Sequence, residues 1–168
     1  FDRPFDAFPL LLSRNFVGCP STVVFSKRLI DKVGYFTALY DSVEDFEYWL
    51  RCARVTPFIC LSVPTVYKRV HSSNMSANRV NILMNRKRIL QELLSSNDSY
   101  VTEHHLRMRC RWALAGVNFA LARTLHADRI NDKIALYLES FFFYPRIKIL
   151  KMLSSLFVTK LAERLHMR

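Results

Sequence analysis

Glycine is scarce: Gly18, Gly34 and Gly116 are the whole supply in 168 residues. Loops that wrap a phosphate need several glycines at fixed spacing, because only a chain without Cβ atoms can close so tightly around a ligand. Neither GxGxxG nor GxxxxGK(S/T) can be assembled from these three, so the simplest nucleotide-binding signatures are absent. Cysteine is nearly as sparse. Cys19, Cys52, Cys60 and Cys110 show no CxxC spacing and no paired histidines nearby, which disfavours structural zinc and predicts buried, reduced thiols of an intracellular protein. There is no charged-then-apolar leader, and no apolar run reaches the roughly 18 residues that cross a bilayer. A cytoplasmic location follows as the expectation, peripheral to a membrane at most. The chain begins at Phe1 rather than Met and is expected to be a fragment of a longer polypeptide.

What is present is apolar and basic. Hydrophobic residues make up 51% of the chain and aromatics 13%, enough to fill a core and to exclude a disordered or collagen-like polymer. A chain of this length buries roughly 70% of its unfolded surface as one domain, or forms a smaller domain with an appendage. The net charge of +11 is unevenly spread, with 9 Lys and Arg against 7 Asp and Glu in residues 1–78, and 16 against 7 in residues 79–168. The split matches the pattern of elements. Ser21 to Phe25, Phe58 to Val63 and Thr65 to Val70 are β-rich runs, while Lys27 to Val33 and Glu44 to Arg54 have helical spacing, so residues 1–78 read as an α/β unit. Asn81 to Leu94, His105 to Leu125, Asp128 to Phe143 and Ile147 to Met167 read as successive helices, broken at Ser95 to Asp98, at His126-Ala127 and at Pro145. The expected fold is thus α/β followed by an all-α extension over residues 79–168.

The last helix sets Ile149, Leu150, Leu153, Leu156, Phe157 and Leu161 broadly on one side, with Lys148, Lys151, Lys160 and Arg164 at the rim. Such a helix either packs on its neighbours with solvated lysines or lies on an anionic membrane. A non-catalytic basic module that binds a membrane surface or a protein partner is one expected function. Nucleic acid is a weaker partner, because the basic residues are dispersed and no helix-turn-helix, RRM or KH signature occurs.

The clearest candidate chemistry lies at Glu44-Asp45, two acids at a helix entrance in a basic chain. Ser42 followed by Asp45 forms a capping-box pattern, and both carboxylates suit the helix dipole without any further role. Asp45, Trp49 and Cys52 share one helix face, with Glu44, Glu47 or Tyr48, and Arg51 on an adjacent one. A carboxylate beside an indole is a recognised arrangement for hydroxylated rings; ordinary core packing explains Trp49 equally well.

In order, Arg14-Asn15, Ser21 to Phe25, Lys27 to Phe36, Glu44-Asp45 to Arg51, and Tyr67-Lys68-Arg69-Val70-His71 with Ser76 make a set that resembles the C-terminal part of the catalytic domain of family 2 glycosyltransferases, which have the GT-A fold. The resemblance covers about the first half of the chain. It implies a transferase that moves a sugar with inversion from a nucleotide-sugar donor to a glycan, a lipid-linked or another hydroxylated acceptor. Asp45 matches the family's general base, Glu44 and Arg51 would orient acceptor and helix, and Trp49 would pack beneath the site. Ser21 and Thr22 would contact donor or acceptor, against the simpler reading of β propensity. Arg69 and His71 would face the diphosphate, His71 also as a metal ligand, although exposed arginines and lone loop histidines commonly have no such role. The family holds Mg or Mn through an Asp-x-Asp motif that does not occur here, and Asp2 to Asp6 does not replace it. Tyr35 also stands where a second glycine is common. The fragment alone is therefore expected to be inactive.

Overall fold

The computed structural model describes residues 3–67, 69, 78–96, 99–102, 104–126 and 128–166, without the side chains of 99, 104, 105 and 163–166. Its elements are helices throughout: α1 (Phe8–Ser13), α2 (Lys27–Val33), α3 (Glu44–Val55), α4 (Arg79–Ser95), α5 (Ser99–Thr102), α6 (His104–Thr124), α7 (Ile130–Phe143) and α8 (Ile147–His166), with a 3-10 turn at Pro20–Thr22. No β-strand occurs among the described residues. The expected α/β unit is therefore corrected to an all-α fold, and the resemblance to a GT-A domain fails with it, since that fold is built on a sheet.

The reason lies in the partners that strands require. Ser21 and Thr22 belong to the 3-10 turn, and the Phe58 to Val63 run makes only an isolated antiparallel bridge, Phe58 to Phe5. β-branched and aromatic residues favour strands only where neighbouring strands accept their hydrogen bonds and cover their side chains. Ile59, Leu61 and Val63 instead project into solvent.

Helices form where apolar residues recur at helical spacing and find a common core. One cluster gathers Phe8, Leu11 and Leu12 of α1, Phe46, Trp49 and Leu50 of α3, Ile89 and Leu90 of α4, and Leu106, Cys110 and Leu114 of α6. It draws on residues from both sides of position 78. A second cluster joins Leu121 and Ala122 of α6 to Ile134 and Tyr137 of α7 and to Ile149 and Leu153 of α8. Polar ties fix the registry between these helices. The buried Ser140 hydroxyl donates to the Ala115 carbonyl at 2.7 Å, while Glu139 accepts from Asn118 at 3.1 Å and from Lys87 at 2.6 Å. Gly116 is exposed, and a Cβ built on it would meet nothing within 4 Å, so close helix packing does not depend on it.

Cys52 and Cys110 are buried, and burial pushes both thiols up to about 11. Cys19 and Cys60 are only half-buried, and all four are free thiols. No helix among the described residues is long and apolar enough to cross a membrane.

Candidate functional site

Helix α3 begins at Glu44, and its entrance differs from a capping box. The N-cap is Val43, no side chain caps the helix, and Ser42 sits in the left-handed region with φ 66°. Its hydroxyl oxygen instead lies 3.4 Å from the Asn81 amide nitrogen of α4. A non-glycine residue held at positive φ carries a conformational cost of order 1 kcal/mol, which here sharpens the bend into α3.

Asp45 is half-buried and held from two sides. Its Oδ1 accepts the Phe46 N–H at 2.6 Å, and the Asn15 side chain hydrogen-bonds it as well. Asn15 is itself positioned, because its Oδ1 accepts the Gly18 N–H at 3.3 Å, at a glycine whose φ of 75° suits the turn. Burial raises the Asp45 carboxyl above 3.8; the Phe46 N–H and Asn15 pull it down, and the neighbouring Glu44 charge pushes it up, leaving the net shift upward. Also on α3, Glu44 Oε2 and Trp49 Nε1 are each buried with no hydrogen-bond partner among the described residues. What the α3 entrance itself holds is a half-buried carboxyl with raised proton affinity, tied to Asn15 and the Phe46 N–H. Asn15 is the member whose role the sequence did not reveal; the only local signal was an Asn three residues before a glycine.

A carboxyl whose folded value is raised favours folding only while it carries its proton. That contribution is complete below the ordinary value of 3.8 and is lost as pH rises through the raised one. Asp45→Asn is thus expected to raise the melting temperature at neutral pH and to leave it nearly unchanged at about pH 3, well under the ordinary carboxyl range. Thermal unfolding of both proteins at the two pH values checks this.

The remaining expected residues divide between packing and surface. Trp49 is in the core, edge-on to Phe25, Phe36 and Tyr48 at centroid distances of 6.3, 6.0 and 5.4 Å. Arg51 is a strap: it binds both Glu47 oxygens at 2.7 and 3.0 Å, donates to the carbonyls of Val33 and Tyr35, and stacks over Tyr48. Ser21 and Thr22 are exposed in the 3-10 turn, where the Thr22 hydroxyl donates to the Cys19 carbonyl at 2.7 Å. Arg69 is exposed; His71 lies outside the described residues. No group of three His, Cys, Asp or Glu side chains among the described residues is placed to hold a metal ion.

A second surface stands out on α8. Ile149 and Leu153 are buried and Met152 and Leu156 pack beside them, whereas Ile147, Leu150, Phe157, Val158 and Leu161 are between 49% and 75% exposed. At 3.6 residues per turn these five fall within about a third of the helix circumference. The two sets form adjacent arcs of one broad apolar side, as the sequence led one to expect, and the core covers only one of them. Lys148 and Lys151 are exposed on the remaining polar side, with Arg146 at the helix entrance.

Comparison with family models, with curated proteins and with solved structures finds no match to this chain. Together with the strand-free fold, this removes the family assignment suggested by the ordered motifs. The class that the structure defines is an all-α protein with a basic helical half.

Proposed function

We propose that the chain is a basic helical module that docks on an anionic membrane surface through the outer side of α8. The observation that carries this reading is the exposed apolar arc of Ile147, Leu150, Phe157, Val158 and Leu161 beside Arg146, Lys148 and Lys151. An interfacial helix needs an apolar side that sinks a few ångströms into the acyl boundary and cations at headgroup level. The inner side of α8 is already anchored in the core, so the helix can lie flat on the membrane without unfolding the domain. Charge selects a lipid surface over a neutral apolar partner: residues 79–168 carry 16 basic against 7 acidic residues. Each basic residue near an anionic leaflet adds about 1 kcal/mol, falling off within a Debye length.

Vesicle sedimentation tests the reading. The chain is expected to pellet with phosphatidylcholine vesicles containing phosphatidylserine, far less with pure phosphatidylcholine, and to be released as the Debye length falls from about 10 to about 3 Å. Absence from the anionic pellet at low salt removes the reading.

A further inference from the structure

The ends of α4 and α7 meet the first half of α6 around an open cavity of about 340 Å³, lined by Leu94, Arg107, Met108, Arg111 and Phe143. Arg107 and Arg111 stand one helical turn apart, so their guanidinium groups rise from the same side of α6. The Arg111 guanidinium carbon lies 5.9 Å from the Phe143 ring centroid, and Arg107 Nη2 is 3.5 Å from the Leu94 carbonyl. That long contact suits a cation at the end of α4, but it engages one donor of a five-donor fork. Among the described residues no carboxylate pairs with either guanidinium; Glu103, four positions before Arg107 in the sequence, lies outside them. Leu94, Met108 and Phe143 supply the apolar wall.

The cavity borders the docking surface. Trp112, next to Arg111, packs on Tyr144 at 5.6 Å, and Arg146 stacks over the same Tyr144 ring at 4.3 Å, just before the exposed arc begins at Ile147. Two guanidinium forks over an apolar wall are complementary to a terminal phosphate joined to an acyl chain. A phosphomonoester presents three acceptor oxygens, so both forks can bind it at once, whereas a phosphodiester or a carboxylate offers only two free oxygens.

We propose that Arg107 and Arg111 form a site for a phosphomonoester carried on an apolar chain, which would give the module a preference among anionic lipids. The membrane source of that ligand rests on the docking reading above; the cavity does not. The probes are charge-matched vesicles containing phosphatidic acid or phosphatidylglycerol, soluble dihexanoyl phosphatidic acid, and inorganic phosphate. The full chain is expected to bind phosphatidic acid vesicles about tenfold more tightly than phosphatidylglycerol vesicles, the scale of one good charge-assisted hydrogen bond. Arg107→Gln with Arg111→Gln should abolish that preference while circular dichroism stays unchanged. Arg111→Lys, which keeps the charge but loses the fork, should reduce the preference and leave phosphatidylglycerol binding as it was. The soluble lipid should bind more tightly than inorganic phosphate, because only it reaches the apolar wall. A preference retained by the double variant overturns the proposal, and so does equal affinity for the soluble lipid and inorganic phosphate. If no vesicle is bound but the soluble lipid is, the cavity stands and the docking reading falls; vesicle binding without any headgroup preference has the reverse meaning.

Discussion

Arg51→Met is expected to destabilise the fold by about 2–3 kcal/mol. The guanidinium joins α3 to the turn after α2 through the Val33 and Tyr35 carbonyls and grips Glu47 with two hydrogen bonds. Its side chain is 29% exposed and that of Glu47 15%, so the pair is neither fully screened by water nor fully desolvated. Methionine keeps the stem over Tyr48 but leaves two carbonyls and a largely buried carboxylate without their donor. The loss is set below the 3–5 kcal/mol typical of fully buried pairs because some water reaches the site. Arg51→Lys should recover only part of it, since one ammonium cannot span Glu47 and both carbonyls. Glu47→Gln in the Arg51→Met background should regain about 1 kcal/mol by removing the stranded charge. Urea unfolding of the four proteins measures these values. A loss under about 0.5 kcal/mol, the level of an ordinary surface substitution, means that the strap contributes nothing.

The second large effect concerns association. Replacing Leu150, Phe157 and Leu161 together by serine is expected to weaken binding to anionic vesicles by about 100-fold or more while leaving the melting temperature within a few degrees. Each side chain is about half exposed in the folded chain, so membrane insertion buries apolar area worth about 1 kcal/mol apiece at 25 cal/mol per Å². Summed with a lost fit to the acyl boundary, three such changes reach the stated range. Serine at Ile149 and Leu153 should act the other way round. Those residues are buried against α7, so the domain loosens first and binding changes only as a consequence. Lys148→Gln with Lys151→Gln should remove much of the salt-sensitive component and spare the apolar one, at about 1 kcal/mol per cation. Lipid titration paired with thermal unfolding separates the three cases.

Helical periodicity was legible because it is a local property. Lys27–Val33 appears as expected, and α3, α4, α6, α7 and α8 start and stop within two residues of the boundaries read from spacing and breakers. Short α1 was missed: six residues carry too little periodicity, and it is buried Phe8, Leu11 and Leu12 that hold it in place. The strands failed for the opposite reason. Val, Ile, Phe and Thr around positions 22–25 and 58–66 have β propensity, but a strand is a relation between segments, and among the described residues only Phe5 pairs with Phe58.

The α3 entrance was legible in part. Two acids ahead of a buried tryptophan marked the place, but not its wiring. Ser42 reads as a cap and is instead a left-handed bend residue, since Val43 takes the N-cap position. Arg51 reads as a ligand contact, and its partners prove to be main-chain carbonyls sixteen and eighteen residues away, which no local pattern encodes. On α8 the spacing places the apolar residues on one broad side, and they share it; that the core covers only the part carrying Ile149 and Leu153 depends on α6 and α7, which the spacing of α8 does not encode.

The most direct test of membrane docking by the outer side of α8 is a depth measurement. Phe157→Trp and Ser155→Trp differ by two positions yet project to different sides of the helix, one within the exposed arc and one beside Lys151. With Trp49 and Trp112 as a constant background, quenching by brominated acyl chains in anionic vesicles is expected to rise clearly above wild type for Phe157→Trp and to stay near it for Ser155→Trp. Equal quenching of all three proteins, with the protein nonetheless bound to the vesicles, would show that α8 does not enter the acyl boundary and would contradict the account.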